Sequence, residues 1–227
     1  MPTSVTLNFG DPQARLRESV VAEAGGGGAK VALIDVRGLI IDGPTPGLFT
    51  RGRNPVAELA ARLRQAEADA EVRGVVLRIN SPGGGVGATE TMYREVRRFR
   101  ERSGKPVVVY LGDLAASGGY YLALAGDRII ASPSGITGSI GVIIPTFNFS
   151  AGMQKIGIVS RSVKSRENKD LANPFEPMRD SQYAVLQGLV DGMYSTFRSR
   201  VWARRGGAES IAEYPREWPA QEPAMAG

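Results

Sequence analysis

The chain has 227 residues, 42% of them hydrophobic, and a formal net charge of +5, enough for one domain with a substantial core, or one domain plus arms. It contains no histidine and no cysteine, which excludes a Ser-His-Asp triad, a thiolate nucleophile and any metal or haem site ligated by His or Cys. No apolar run reaches the ~18 residues of a membrane span, and the opening "MPTSVTLNFGDPQ" lacks the basic start and apolar stretch of a secretory signal.

Residues 1–29 read as an arm ending in the flexible linker "AGGGGA". The stretch "KVALIDVRGLII" (Lys30–Ile41) alternates and is β-branched, which predicts a strand; "DGPTPGLFTRGRN" is a loop punctuated by Pro and Gly. Residues 54–68 are predicted as a helix with Val56, Leu59, Ala60 and Leu63 on one face. "GVVLRIN" (Gly74–Asn80) reads as a buried strand, and "SPGGG" leads from it into a helix over Val86–Arg102. That helix has an apolar stripe of Thr89, Met92, Tyr93, Val96 and Phe99. Its other side carries "REVRRFRER", a basic cluster without interleaved aromatics, which reads as a solvated face and not as a nucleic-acid interface. "PVVVYLG" is a third strand, running into a helix that opens at Ser117. "DRIIAS" is a short strand, "TGSIGVII" a turn entering another, and Ser150–Ile156 a short helix before the strand "IVSRSVKS". The last helix spans Asp180–Arg204, with Leu186, Leu189, Val190, Met193, Phe197 and Val201 as its apolar face. Residues 205–227 read as a weakly ordered tail.

Repeated strand–helix units predict a mostly parallel sheet with right-handed crossovers. Ligands in such folds bind at the carboxyl ends of the strands. Both glycine-rich turns, "NSPGGG" and "LAASGG", fall there and are expected to lie near each other.

Ser117 allows two readings. A serine at a helix N-terminus caps it by accepting an amide hydrogen bond. The glycines that follow, Gly118 and Gly119, are poor helix formers and suit close backbone approach instead. In the second reading Ser117 is a nucleophile at a strand-to-helix turn, with the Gly118 amide beside any anion formed there. "SPGGGVGA" lacks the Lys-Ser/Thr ending of a phosphate loop. It is a plain turn or, because Gly83–Gly85 have no side chains, a source of outward-facing amides for an oxyanion. A nucleophilic serine needs a base. Arginine stays protonated, so the five lysines remain. Lys105 reads as a turn residue, Lys30 as the start of a strand, and Lys155 and Lys164 as solvated; Lys169 stands in "SRENKDLANPF", a polar loop that turns apolar. A lysine base needs its pKa lowered from about 10.4, which burial provides.

Together "RINSPGGGV", "LAASGGYYLALAGDRIIASPSGITGSIGVI" and "KDLANPF" resemble, in order, the signal peptide peptidase A family, Ser-Lys serine proteases of crotonase/Clp-protease-like fold. The resemblance covers Lys30–Arg204, and the 52 residues from Ser117 to Lys169 match single-domain members. It implies an α/β fold of repeated β-β-α units, with a mostly parallel sheet flanked by helices, and a peptidase domain over residues 30–204. By the same resemblance Ser117 matches the nucleophile and Lys169 the general base. Ser139 of "TGSIGV" matches the serine that orients that lysine, though alone it reads as a turn hydroxyl. Gly84 and the Gly118 amide match the oxyanion hole. No cofactor or metal is implied. Family members cleave signal-peptide remnants and other extended apolar peptides through an acyl-enzyme, and form homo-oligomers whose grooves depend on neighbouring protomers. They carry an N-terminal anchor that is not seen in this chain, and a final segment that "GGAESIAEYPREWPAQEPAMAG" does not match. The chain is therefore expected to be soluble as it stands and truncated or divergent at its end. Membrane association is expected only through an anchor or a substrate, and an anchored form would work on the outer face of the cytoplasmic membrane. Two other functions stay open: a crotonase-like acyl-CoA enzyme using a carboxylate such as Glu90 or Asp113, and an inactive scaffold at membranes.

Overall fold

A computed structural model describes residues 19–20, 29–44 and 52–205; nearly all of the expected arm and tail lies outside the described residues. The chain divides into two compact units, one ending at Ser139 and the other beginning at Ile140.

Five strands build the first unit: β1 (Lys30–Arg37), β2 (Val72–Ser81), β3 (Val107–Ala116), β4 (Arg128–Ala131) and β5 (Ile136–Gly138). They lie in the order β1-β2-β3-β4, with β5 also on β3, and every pairing is parallel. β4 pairs with Val108–Leu111 and β5 with Leu114–Ala116, so the two follow each other along one edge of β3. Parallel neighbours require crossover connections. These are α1 (Pro55–Ala68), α2 (Val86–Ser103) and α3 (Gly118–Ala123).

Alternation along the strands sets the core. Ile34 and Val36 of β1, Leu77 and Ile79 of β2, and Val107, Val109 and Leu111 of β3 are buried. Against them pack Leu59 and Leu63 of α1, Met92, Val96 and Phe99 of α2, and Tyr120–Ala123 of α3. Full burial of one such side chain contributes about 1.5–3 kcal/mol. The opposite face of the sheet is more open, with Leu33, Tyr110 and Ile130 exposed.

The helices start and stop for local reasons. Asn54 caps α1 by accepting the amides of Val56 and Ala57, with Pro55 in the first position where its missing N–H costs nothing. Lys105 closes the other end, its Nζ donating to the carbonyls of Ala66, Glu67 and Asp69 at 2.7, 3.2 and 2.7 Å. α2 ends on Gly104 at φ 67°. Arg100 grips Asp127, which in turn accepts the Val107 amide, so α2, the start of β3 and the turn into β4 share one polar clamp.

One irregularity aims the site. Ile79 faces Leu111, but Ser81 faces Ala115, so β3 bulges around Gly112–Leu114 just before its carboxyl end.

The second unit contains α4 (Ser150–Lys155) and α5 (Asp180–Arg205). Three sequence expectations change here. "IVSRSVKS" is not a strand: it alternates suitably, but a strand exists through its ladder, and among the described residues this segment has no partner. In "TGSIGVII" the strand β5 precedes the turn instead of following it. Along α5 only Phe197 and Val201 of the expected face are buried, while Leu189 is exposed; helical periodicity marks an apolar face without saying what covers it.

Candidate active site

The carboxyl end of β2 delivers Ser81 into the interior. Its Oγ donates to the Gly38 carbonyl at 2.6 Å and accepts the Gly83 amide at 3.1 Å. Ile40 continues this anchoring, donating to the Gly83 carbonyl at 2.9 Å and accepting from Gly85 at 2.8 Å. Gly84 is thus bracketed on both sides while its own amide has no acceptor among the described residues. A Cβ on Gly84 would run into the Ile40 carbonyl, which is why glycine stands there.

At the carboxyl end of β3 the chain turns sharply through Ser117, at φ 50° and ψ −120°. A non-glycine residue held there costs about 1–3 kcal/mol, and such strain clusters at functional turns. The Ser117 amide donates to the Gly138 carbonyl at 2.8 Å, and its carbonyl accepts the Tyr121 amide at 2.9 Å. The backbone is therefore fixed at both its polar groups. Its hydroxyl makes no capping hydrogen bond. Capping was one of the two sequence readings, and the side chain is not used that way.

The two glycine turns meet, as expected. A Cβ on Gly83 would fall 2.5 Å from the Gly118 nitrogen and 3.0 Å from Ser117 Cβ. A Cβ on Gly118 would fall 3.3 Å from the Gly84 nitrogen. The Gly118 amide, like that of Gly84, has no acceptor among the described residues. Two free backbone donors beside a half-buried hydroxyl can stabilise a negatively charged oxygen. Ser139 follows directly on Gly138, whose carbonyl holds the Ser117 amide; it has φ 52° and an exposed side chain. Ser117, Gly118, Gly84 and Ser139 are thus gathered in the first unit. The anchors Ser81, Ile40 and Gly138 escaped the sequence reading, because their contacts join segments about 20–45 residues apart.

Lys169 belongs to the second unit. It lies in a short turn whose amide donates to the Arg166 carbonyl at 3.2 Å, and its side chain is exposed. Around it, Lys164 Nζ stands 2.5 Å from Asp170 Oδ2 and by that hydrogen bond holds the Asp170 carboxyl below the usual carboxylate range. Buried Gln182 accepts the Arg179 amide at 3.1 Å and donates to the Glu167 carbonyl at 3.4 Å. It ties the turn to the start of α5.

The other lysines are largely committed. Lys30 pairs with Asp69 and Glu71, Lys105 caps α1, and Lys164 holds Asp170. Among the described residues, only Lys155 and Lys169 have ammonium groups without such a partner. Of the alternative carboxylates, Glu90 accepts the Tyr121 hydroxyl and pairs with Arg94 at 2.6 Å, while Asp113 is exposed.

Comparison with known proteins bears on this arrangement. The family model for Peptidase family S49 matches residues 99–224, and that for Clp protease matches residues 52–135. A protein of Enterococcus faecium named as a signal peptide peptidase is 32% identical over 77% of this chain and 51% of its own length. The chloroplastic serine protease SPPA of Arabidopsis thaliana is 32% identical over 77% of this chain and 26% of its own length. A Brucella melitensis protein named as a Na(+)/H(+) antiporter is 37% identical over 78% of this chain, but only 24% of that protein. Among the described residues, no helix is long and apolar enough to cross a membrane. The chain spans about a quarter to a half of the length of these relatives. Among solved structures, a mutant of the 1510-N membrane-bound stomatin-specific protease matches at 20% identity with a TM-score of 0.40, covering 54% of this chain and 51% of that one.

Proposed function

The chain belongs to peptidase family S49, and we propose from that premise that it is a serine endopeptidase working through Ser117 and Lys169. The observation that carries the reading is the state of Ser117: a strained turn, a hydroxyl spent on no cap, and two free amides beside it. In the proposed mechanism neutral Lys169 takes the hydroxyl proton as Ser117 Oγ attacks a peptide carbonyl carbon. The carbonyl oxygen, now negative, accepts from the Gly84 and Gly118 amides. Lys169 then protonates the leaving amine, and later removes a proton from the water that hydrolyses the acyl-enzyme. Ser139 orients the lysine. The substrates are extended apolar peptides of the signal-peptide-remnant type, no cofactor takes part, and the working form is a homo-oligomer.

An acyl-CoA enzyme on this scaffold would need a free carboxylate near Ser117. Glu90 is already engaged by Tyr121 and Arg94 while Asp113 stays exposed, and it is membership of a peptidase family that favours the peptidase reading.

Cleavage of a fluorogenic peptide with small or apolar residues before the scissile bond tests the reading. Ser117→Ala and Lys169→Ala are each expected to lose at least about a thousandfold in kcat. A Lys169→Ala variant that cleaves nearly as well as wild type removes the lysine from the mechanism. A folded wild type that neither cleaves peptides nor reacts with an acylating serine probe supports the scaffold instead.

A further inference from the structure

Thr89 sits in the first turn of α2 and is 4% exposed. Its Oγ1 is enclosed and has no hydrogen-bond partner among the described residues. Helical hydroxyls elsewhere in the chain bond back to the preceding turn. Thr91 donates to the Gly87 carbonyl at 2.9 Å, and Ser103 to that of Phe99 at 2.7 Å. Thr89 does not, although its amide does bond to the Gly85 carbonyl. A valine or alanine would fill the apolar stripe of α2 without burying an idle hydroxyl.

The hydroxyl abuts Gly118. A Cβ on Gly118 would stand 2.5 Å from Thr89 Oγ1, 3.2 Å from Gly83 Cα and 3.3 Å from the Gly84 nitrogen. Thr89, the glycine loop and the residue after the nucleophile therefore meet around one point. A buried hydroxyl without a partner lowers stability, and chains keep such groups where function requires them. An oxygen also lets a Cα–H approach more closely than a methyl group would.

We propose that Thr89 is a positioning residue of the oxyanion pocket. Its compact oxygen leaves room for Gly118 to seat against the glycine loop, so that the Gly118 and Gly84 amides face the same point. It touches no reacting atom and acts through Gly118. The proposal rests on Ser117 being the nucleophile.

Peptide cleavage by the full chain, with melting temperature measured in parallel, tests it. Thr89→Val should lower kcat by roughly tenfold or more, as slight misplacement of catalytic donors does. KM should stay within about twofold, because no substrate contact is lost. The melting temperature should not fall, because an unsatisfied hydroxyl has gone. Thr89→Ser should keep kcat within about threefold of wild type, because the oxygen remains. A Thr89→Val enzyme that retains wild-type kcat overturns the proposal. So does a Thr89→Ser enzyme that loses as much as Thr89→Val, or a loss in Thr89→Val that tracks a lowered melting temperature. Ser117→Ala, run beside them, separates the two ideas. Cleavage that survives in Ser117→Ala overturns the nucleophile and this proposal with it. Cleavage abolished there but intact in Thr89→Val overturns the role of Thr89 alone.

Discussion

Asp35 and Arg78 are register partners on β1 and β2, on the open face of the sheet. The guanidinium meets the carboxylate in a fork, Nε at 2.6 Å and Nη2 at 2.8 Å. That hydrogen bonding from Arg78, with its charge and that of Arg37, holds the Asp35 carboxyl below the usual carboxylate range against the opposing effect of burial. A carboxyl lowered on folding stabilises the folded chain fully above the ordinary carboxylate pKa of about 3.9, and the contribution is lost as pH falls through the lower folded value. Asp35→Asn is therefore expected to lower the melting temperature at neutral pH by about 2 °C, and the gap from wild type should close as the pH falls below the ordinary carboxylate value of about 3.9 and through the lower folded one. A gap that persists unchanged in acid would mean that packing, not charge, accounts for the loss. At this scale the sequence was readable where chemistry narrows the choice. Absent histidine and cysteine excluded a triad and a thiolate and left a lysine as the candidate base for Ser117. Thr89 passed as one more member of an apolar stripe, since what its side chain packs against, Gly118, lies on a turn about 30 residues along the chain.

Elements were legible where their signals are local. α1 was expected over residues 54–68 and forms over Pro55–Ala68; α2 was expected from Val86 and starts there. Asn54, Pro55 and Gly104 are the cap residues that set those boundaries. β3 runs past its expected end to Ala116 because β5 pairs with its last residues, a contact between segments about 20 residues apart that no local pattern encodes. Lys105 was read as a turn residue, and the structure gives it an element-scale task. Its ammonium satisfies three carbonyls at the end of α1, which has no basic residue of its own in the last turn. Lys105→Met keeps most of the stem but removes the donor. The expected loss is about 1–2 kcal/mol of unfolding free energy, measured as a lower urea midpoint at unchanged slope. A change below about 0.3 kcal/mol would show that water serves those carbonyls equally well.

For the whole molecule, the exposed apolar side chains of the second unit raise the question of what covers them. Seven large hydrophobic residues between Ile143 and Val163 are exposed, among them Ile143 at 82%, Ile156 and Val159 at 71%, and Val163 fully open. Phe147 and Phe149 stack on each other at 6.2 Å and still present most of their surface. Single exposed hydrophobes need no explanation, but this density along one segment is of the kind that interaction surfaces present. The segment also includes "IVSRSVKS", whose alternation suits a strand that lacks a ladder among the described residues. Both features fit the proposed homo-oligomer, in which copies of the chain cover this surface. Each such side chain, once covered, contributes up to about 1.5–3 kcal/mol, and placing a carboxylate among them should reverse that gain. Sedimentation velocity at about 10–50 µM is then expected to give a mass several times that of one chain, and Val159→Glu with Val163→Glu to return it to a single chain with its helix content intact. If grooves are shared between copies, peptide cleavage by this double variant should fall with the mass and not recover at saturating substrate. A wild-type chain that sediments singly at these concentrations, yet cleaves, would confine the whole reaction to one protomer.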